Sequence, residues 1–508
     1  GDVYKRQIKY IKYYLLAFLL VTGSVACSED EGAQILGALH EKVDIEPEPG
    51  MNLVGRVTDG KNPIEGVVVS DGFTVTTTDA RGIYQMRVKR TTPFVFVSVP
   101  AEYEIPMENG HPKIYKKIAL GDNDVVQRSF KLERAAKKKR FTLLALADVQ
   151  IGREDEVTML DEEVLPFLIP YVQEELQAPV YGISLGDLVW DNMPYHTIYK
   201  ERIQKIGVPV FQAIGNHDHD KAVSDDTEAD ASFESAFGPT YYSYNIGDCH
   251  FIVLDDVLYA GSSSYTADIT DEQMAWLEQD LQYVPKDKLI ILGVHIPTSR
   301  RNRPSTQVEN CEELYALLDG YQVRILSGHS HNNYTTTISE SIEENTLGSV
   351  MGAYWNGKEL CNDGSPRGYA VYEIEGNRIK NWYYKGTAYP REYQMYLYGP
   401  GEAVSEQYRD GLIFNIFNWH TTWTVEVQED NSDWVTLPSD SNLKYEMDRR
   451  AYDFMFGETV PEHRPTAEPE DKNDHMFYYK PVSDSWEKVT VKATDPYGNV
   501  YTESIQNE

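Results

Sequence analysis

Cysteine is scarce: four residues of 508, too few for a disulfide-built scaffold. Basic residues are in deficit, with 47 Lys+Arg against 80 Asp+Glu and a net charge of −33. A surface of that sign repels a phosphate backbone, which excludes a nucleic-acid-binding role. The apolar run Tyr13 to Val21 falls short of the roughly 18 residues that a membrane-crossing helix needs. No Met precedes Met51. What is there is a globular composition, 41% hydrophobic and 25% charged, with material for several cores. At about 150 residues per domain the length suggests three.

The first residues read as processing signals. Residues 1–7 resemble a translated library adapter and are set aside. Residues 8–26 read as a signal peptide: Lys9 and Lys12 give a basic start, Tyr13 to Val21 an apolar stretch, and Thr22 to Ala26 a run of small residues. Cys27 stands where a bacterial lipoprotein signal places its lipidated Cys, although Ser24 replaces the usual Leu. The acidic run Ser28 to Glu31 is similar to the surface-export tag of Bacteroidetes lipoproteins; the alternative is an ordinary solvated charge run. The expectation is an exported protein of the periplasm or outer membrane, touching membrane only through a lipid on Cys27.

Three regions follow the linker at 27–50. Residues 51–132 show short alternating runs (Leu53 to Val57, Gly66 to Ser70, Phe94 to Val99) separated by Asp59-Gly60, Asp71-Gly72 and Arg81-Gly82 turns. That spacing predicts a small β-sandwich and resembles carboxypeptidase-regulatory-like modules. Residues 139–390 alternate buried strands, such as Phe141 to Ala147 and Leu289 to Val294, with helices. Thr270-Asp271-Glu272-Gln273 is a capping box that opens one of those helices. The alternation predicts an α/β layered core. Residues 391–508 lose the helical period and read as a second accessory β domain.

Five short motifs end strands of the middle region: Asp148-Val149-Gln150, Gly186-Asp187 through Asp191, Gly215-Asn216-His217-Asp218, Gly293-Val294-His295, and Gly328-His329-Ser330-His331. Ligands in open α/β sheets gather just past strand carboxyl ends. The mixed oxygen and nitrogen set suits divalent Mn, Fe, Zn or Ni and not Ca. The glycines are expected to let the backbone turn sharply.

In this order the motifs resemble those of calcineurin-like metallophosphoesterases, from Arg140 to about Pro390. The whole layout is similar to secreted Bacteroidetes members with N- and C-terminal accessory domains. The resemblance implies a two-sheet sandwich flanked by helices, with a β-sandwich-like domain at either end. It implies two divalent ions, one on Asp148, Gln150, Asp187 and His331, the other on Asp187, Asn216, His295 and His329, bridged by Asp187. It implies hydrolysis of a phosphate ester by a hydroxide held between the ions. His217 would protonate the leaving group, Asp218 would orient His217, and Asp191 would be a hydrogen-bonding support. The commonest first motif has His where Gln150 stands; an amide oxygen there favours Mn or Fe, with Zn still open.

Other residues are ambiguous. Arg300, Arg301 and Arg303 could clamp an anion. Tyr354 and Trp355 could stack on a sugar or base, or pack in a core. His219 and Asp220 are expected to be solvated loop. The implied substrate is a small-molecule or glycan- or lipid-linked phosphoester. Alternatives are a nucleotide-sugar or nucleoside-diphosphate-type pyrophosphatase, and a glycan- or partner-binding protein with a vestigial metal centre.

Overall fold

The computed structural model describes residues 41–121, 124–176, 179–300, 303–352, 359–456, 469–483 and 485–507. Cys27, the expected signal segment, Arg301, Tyr354 and Trp355 lie outside them.

The middle region is built on two sheets. Its strands, in chain order, are β1 (Arg140–Leu146), β2 (Val180–Leu185), β3 (Val210–Ala213), β4 (Tyr242–Ile246), β5 (Cys249–Val253), β6 (Leu289–Gly293), β7 (Gln322–Ser327), β8 (Tyr334–Thr337), β9 (Ile342–Thr346), β10 (Gly368–Glu375) and β11 (Arg378–Gly386). One sheet runs β3-β2-β1-β10-β11, parallel through β1 to β3 and antiparallel at β10 and β11. The other runs β4-β5-β6-β7-β9-β8, parallel from β5 to β9.

The period-2 geometry of β1 sorts its side chains between two cores. Phe141, Leu143 and Ala145 share a core with Phe251 and Ile291 of the facing sheet. Leu144 and Leu146 share a second core with Val157, Leu168 and Tyr199 from the covering helices. A strand buried on both faces reads as a continuous apolar run, which is why β1, β2 and β6 are visible in the sequence. Phe211 of β3 stacks on Tyr244 of β4 at 3.6 Å, tying the sheets together. Thr270 caps the helix Asp271–Leu281, accepting from the Gln273 amide. The helical stretch before β2 is interrupted: a wide π-type turn at Leu160–Val164 separates its two α-helical pieces, and a second at Tyr171–Glu175 ends it.

The N-terminal region forms two four-stranded sheets, one around Leu53–Thr58 and one around Val68–Ser70 and Phe94–Ser98. It packs on the middle region through Phe96, edge-on to Trp276 at 6.1 Å, and through a bond from Trp276 Nε1 to Ser70 Oγ of 3.1 Å. The C-terminal region pairs a three-stranded sheet centred on Leu412–Ile416 with a four-stranded sheet holding Thr424–Glu429 and Lys488–Thr494. Trp419, Trp423, Trp486, Phe414 and Phe477 fill the space between them. Buried polar bonds fasten this region to the loop behind the second sheet. The Asn415 and Asn473 side-chain amides donate to the Asp363 carbonyl at 2.7 and 3.0 Å, and Arg450 Nη2 donates to the Gly364 carbonyl at 2.6 Å.

Cys249, Cys311 and Cys361 are buried free thiols. Among the described residues no helix is long and apolar enough to cross a membrane.

Candidate metal centre

Two residues past the ends of β1, β2, β6 and β7 stand Asp148, Asp187, His295 and His329, and three past β3 stands Asn216. All five therefore converge at one rim of the sandwich. The backbone there is unusual. Asp148, Gln150, Asp187, Asp191, His329 and His331 all adopt positive φ, between 50° and 65°. Each such non-glycine residue costs on the order of 1–3 kcal/mol and persists only where the surroundings over-determine it. Gly186 makes the sharp turn expected of it, with φ of 83°, but Gly215 and Gly328 serve a different purpose. A Cβ on Gly215 would lie 2.4 Å from Asp187 Oδ1, and one on Gly328 2.6 Å from Asp148 Oδ2. Neither has a positive φ. They leave room for the carboxylates, while the ligand-type residues themselves make the other sharp turns.

His295 is central and fully buried. Its Nδ1 donates to the Leu185 carbonyl at 2.8 Å, so Nε2 is the inward atom. Nε2 faces Asn216 Oδ1 at 3.1 Å, Asp187 Oδ1 at 3.2 Å and His329 Nδ1 at 3.2 Å. His331 Nε2 lies 3.3 Å from Asp148 Oδ1, and the His329 backbone amide donates to both Asp148 oxygens. Gln150 Nε2 donates to Asp187 Oδ2 at 2.7 Å, while its Oε1 is buried without a donor.

Acceptors gathered at this density require positive charge, from a proton on His295 or from a bound cation. Burial alone would lift the Asp187 carboxyl, but the His295, His217 and His329 imidazoles hold it well below the usual carboxylate range. Burial pulls His295 down, yet Asp187, Asp148 and Asp256 push it up to about 10. Burial and the neighbouring His295 drive His329 far down, which keeps its ring neutral. The ligand atoms of Asp187, His295 and His329 lie within 4.8 Å of one another. Together with the orphaned Gln150 oxygen, this donor set fits divalent cations.

Residues 141–333 match the calcineurin-like phosphoesterase family, residues 51–135 its N-terminal domain and residues 344–501 its C-terminal domain. The chain belongs to the calcineurin-like phosphoesterases. It is a phosphoester hydrolase. Solved structures with a similar fold include a dimetal phosphatase from Danio rerio (16% identity, 46% of this chain and 93% of that one, TM-score 0.32). Others are GAP50, the anchor in the inner membrane complex of Plasmodium (16%, 50% and 88%, 0.33), and a 5'-nucleotidase from Candida albicans (12%, 50% and 52%, 0.31). No curated protein matches the chain.

One expected pairing in this phosphoesterase is corrected. Asp218 was assigned to orient His217, but its carboxylate points away from that ring. It accepts from the backbone amides of Leu188 (2.9 Å), Val189 (3.0 Å) and Gly215 (2.9 Å) and faces His196 Nε2 at 3.2 Å. Asp218 is fully buried and clamps the second motif to the third. The partner of His217 is Asp191: Nδ1 to Oδ1 is 2.8 Å. The Asp191 amide also donates to the His217 carbonyl at 3.1 Å. Trp190 stacks on the imidazole at 3.7 Å between centroids. Burial would lower His217, but Asp187 and Asp191 raise it above the ordinary histidine value.

Arg300 and Arg303 are not open clamps. Arg300 Nη1 donates to Thr306 Oγ1 at 2.8 Å, and Arg303 pairs with Glu470 and Asp471 of the C-terminal region. Sequence reasoning also missed Glu344. This carboxylate is buried on β9 and accepts from the Thr298 and Ser299 amides, fixing the loop that follows His295.

His219, expected to be solvated, is fully buried. Its Nε2 lies 2.9 Å from Asp230 Oδ1, and with Asp255 they form a second group whose ligand atoms lie within 4.8 Å of one another. Burial pulls His219 down, but Asp230 outweighs it and pushes the ring up to about 9. The unfolded imidazole titrates near 6.5. The pair therefore contributes its full stability below pH 6.5, and this is lost as pH rises through about 9. The expected outcome is a melting temperature of the metal-free protein that falls between pH 6.5 and 9. Asp230→Asn should flatten that fall by roughly 3 kcal/mol over the same range, read by scanning calorimetry. An unchanged profile in Asp230→Asn would remove the pair as its cause.

Proposed function

We propose that the protein is an exported phosphoesterase that cleaves a phosphate ester at a centre of two divalent ions, Mn or Fe in preference to Zn. The observation that carries this reading is the convergence of Asp148, Gln150, Asp187, Asn216, His295, His329 and His331 at one rim of the sandwich, all but Asn216 and His295 on backbone of positive φ. The Gln150 amide oxygen, a harder donor than imidazole, supports the metal preference. Export rests on the signal-like residues 8–26 and Cys27. Divalent ions bound there supply Lewis acidity to the phosphoryl oxygens and lower the pKa of water towards ~7.

The chain's own residues do the rest. Asp187 and Asp148 set the negative charge that holds the cations. His295 is fixed in one tautomer by the Leu185 carbonyl, so its Nε2 faces the site. Asp191 favours the protonated form of His217 and Trp190 stacks on its ring, so Nε2 can release a proton to the departing alkoxide.

The test is hydrolysis of p-nitrophenyl phosphate and bis-p-nitrophenyl phosphate by the purified mature protein with Mn²⁺, with His217→Ala as control. A His217→Ala loss of about 10²–10⁴-fold in kcat is expected. Two bound metals with no activity on either ester, nor on nucleotide sugars, would favour a binding role instead.

A further inference from the structure

A cavity of about 480 Å³ opens beside His329, and both regions wall it. Arg300, Arg303, Asn332 and Asn362 come from the catalytic region, Phe456 and Glu470 from the C-terminal region. The C-terminal region thus closes one side of the space next to the metal ligands.

Glu470 sets the charge of that wall. Its Oε1 accepts from Arg303 Nη2 at 2.7 Å, Arg303 Nε at 3.2 Å and the Lys472 amide at 3.0 Å. Its Oε2 accepts from Asn332 Nδ2 at 2.7 Å and lies 3.8 Å from Arg300 Nη2. Asp471 pairs with Arg303 as well. Two guanidiniums therefore meet two carboxylates, and the wall is neutral where two free arginines would have attracted an anion. Glu470 is largely buried, with 12% of its side chain exposed, so a guanidinium withdrawn from it leaves a poorly solvated charge behind.

The amides beside it hold that carboxylate and the neighbouring loop in place. Asn332 must turn Nδ2 towards Glu470, and Asn362 must turn Nδ2 towards the Ser330 carbonyl at 3.3 Å. Those partners can only accept, so both orientations are fixed. Asn332 Oδ1 and Asn362 Oδ1 are then buried beneath the wall, out of reach of a molecule in the cavity. Phe456, 48% exposed, offers an apolar face to the same space.

We propose that this cavity takes the alcohol side of the substrate, and that Glu470 selects an uncharged alcohol over one carrying a second phosphate. An uncharged group packs its C–H face on Phe456 and leaves the pairs on Glu470 intact. A second phosphate has to draw Arg300 or Arg303 from Glu470 first. The inference rests on the hydrolase reading above and narrows its substrate class.

The test uses a matched pair, glucose 1-phosphate and glucose 1,6-bisphosphate, with Mn²⁺ and the full mature chain. Wild type is expected to favour the monophosphate by at least about tenfold in kcat/KM, the worth of one charge-assisted hydrogen bond. Glu470→Gln should move the ratio towards the bisphosphate by about tenfold or more. Arg303→Gln should move it the other way, a direction that general damage to the pocket does not predict. Equal kcat/KM on the two sugars in wild type, no turnover of either, or both variants shifting the ratio alike would overturn the selectivity. Turnover of p-nitrophenyl phosphate in the same preparation reports separately on the hydrolase reading.

Discussion

Asp187→Asn is expected to lower kcat/KM on p-nitrophenyl phosphate by at least about a thousandfold, well past the 10–100-fold that outer hydrogen-bonding partners of a metal ligand cost. The substitution keeps the shape of the side chain and removes its charge. Asp187 touches three parts of the site: Oδ1 faces His295 at 3.2 Å and accepts the His217 amide at 2.9 Å, while Oδ2 accepts Gln150 at 2.7 Å. Three imidazoles hold it ionised against burial. An Asn here keeps one acceptor but gives up the charge that draws cations together. Metal content by atomic emission should therefore fall below two per chain along with activity. The fold should survive, because the backbone bonds that shape the turn, such as Gln150 N to Asp187 O at 2.8 Å, are untouched. A variant that keeps two metals and a tenth of the activity would sink the bridging role.

The reach of sequence reasoning follows from burial. Strands buried on both faces (β1, β2, β6, β7) announce themselves as apolar runs, and the residues just past them carry the centre. β9 does not announce itself. Its sequence is Ile342-Glu343-Glu344-Asn345-Thr346, and three of its four polar residues are buried, satisfied by Thr298, Ser299, Ser327, Arg324 and Thr335. Nothing in a polar pentapeptide distinguishes a buried network from a surface loop. The His217 partner was hidden for a related reason. Adjacency in the chain favoured Asp218, but at a tight turn neighbouring side chains point apart. Asp191, 26 residues earlier, arrives because the clamp of Asp218 on Leu188 and Val189 brings its loop there. The arginines were legible as residues but not as pairs, since their carboxylate partners lie about 170 positions on, in another region.

That division of labour predicts a double dissociation between two aspartates that share a loop system. Asp191→Asn should cut kcat by about 10–100-fold near pH 8 while shifting stability little. Asp191 lifts His217, and a general acid loses activity above its pKa. Removing the charge lowers that pKa, so the alkaline limb of the kcat–pH profile moves to lower pH. Asp218→Ala should act in the opposite register. It strips the acceptor from three buried amides and from His196, which leaves donors unsatisfied and costs about 3 kcal/mol or more of stability. Its surviving folded fraction should titrate with the wild-type alkaline limb, because Asp218 does not touch His217. The measurements are thermal melts and kcat–pH profiles on both variants. If the alkaline limb moves in Asp218→Ala and stays put in Asp191→Asn, the pairing drawn from the 2.8 Å contact is wrong, and the charge on His217 is set through the clamp instead.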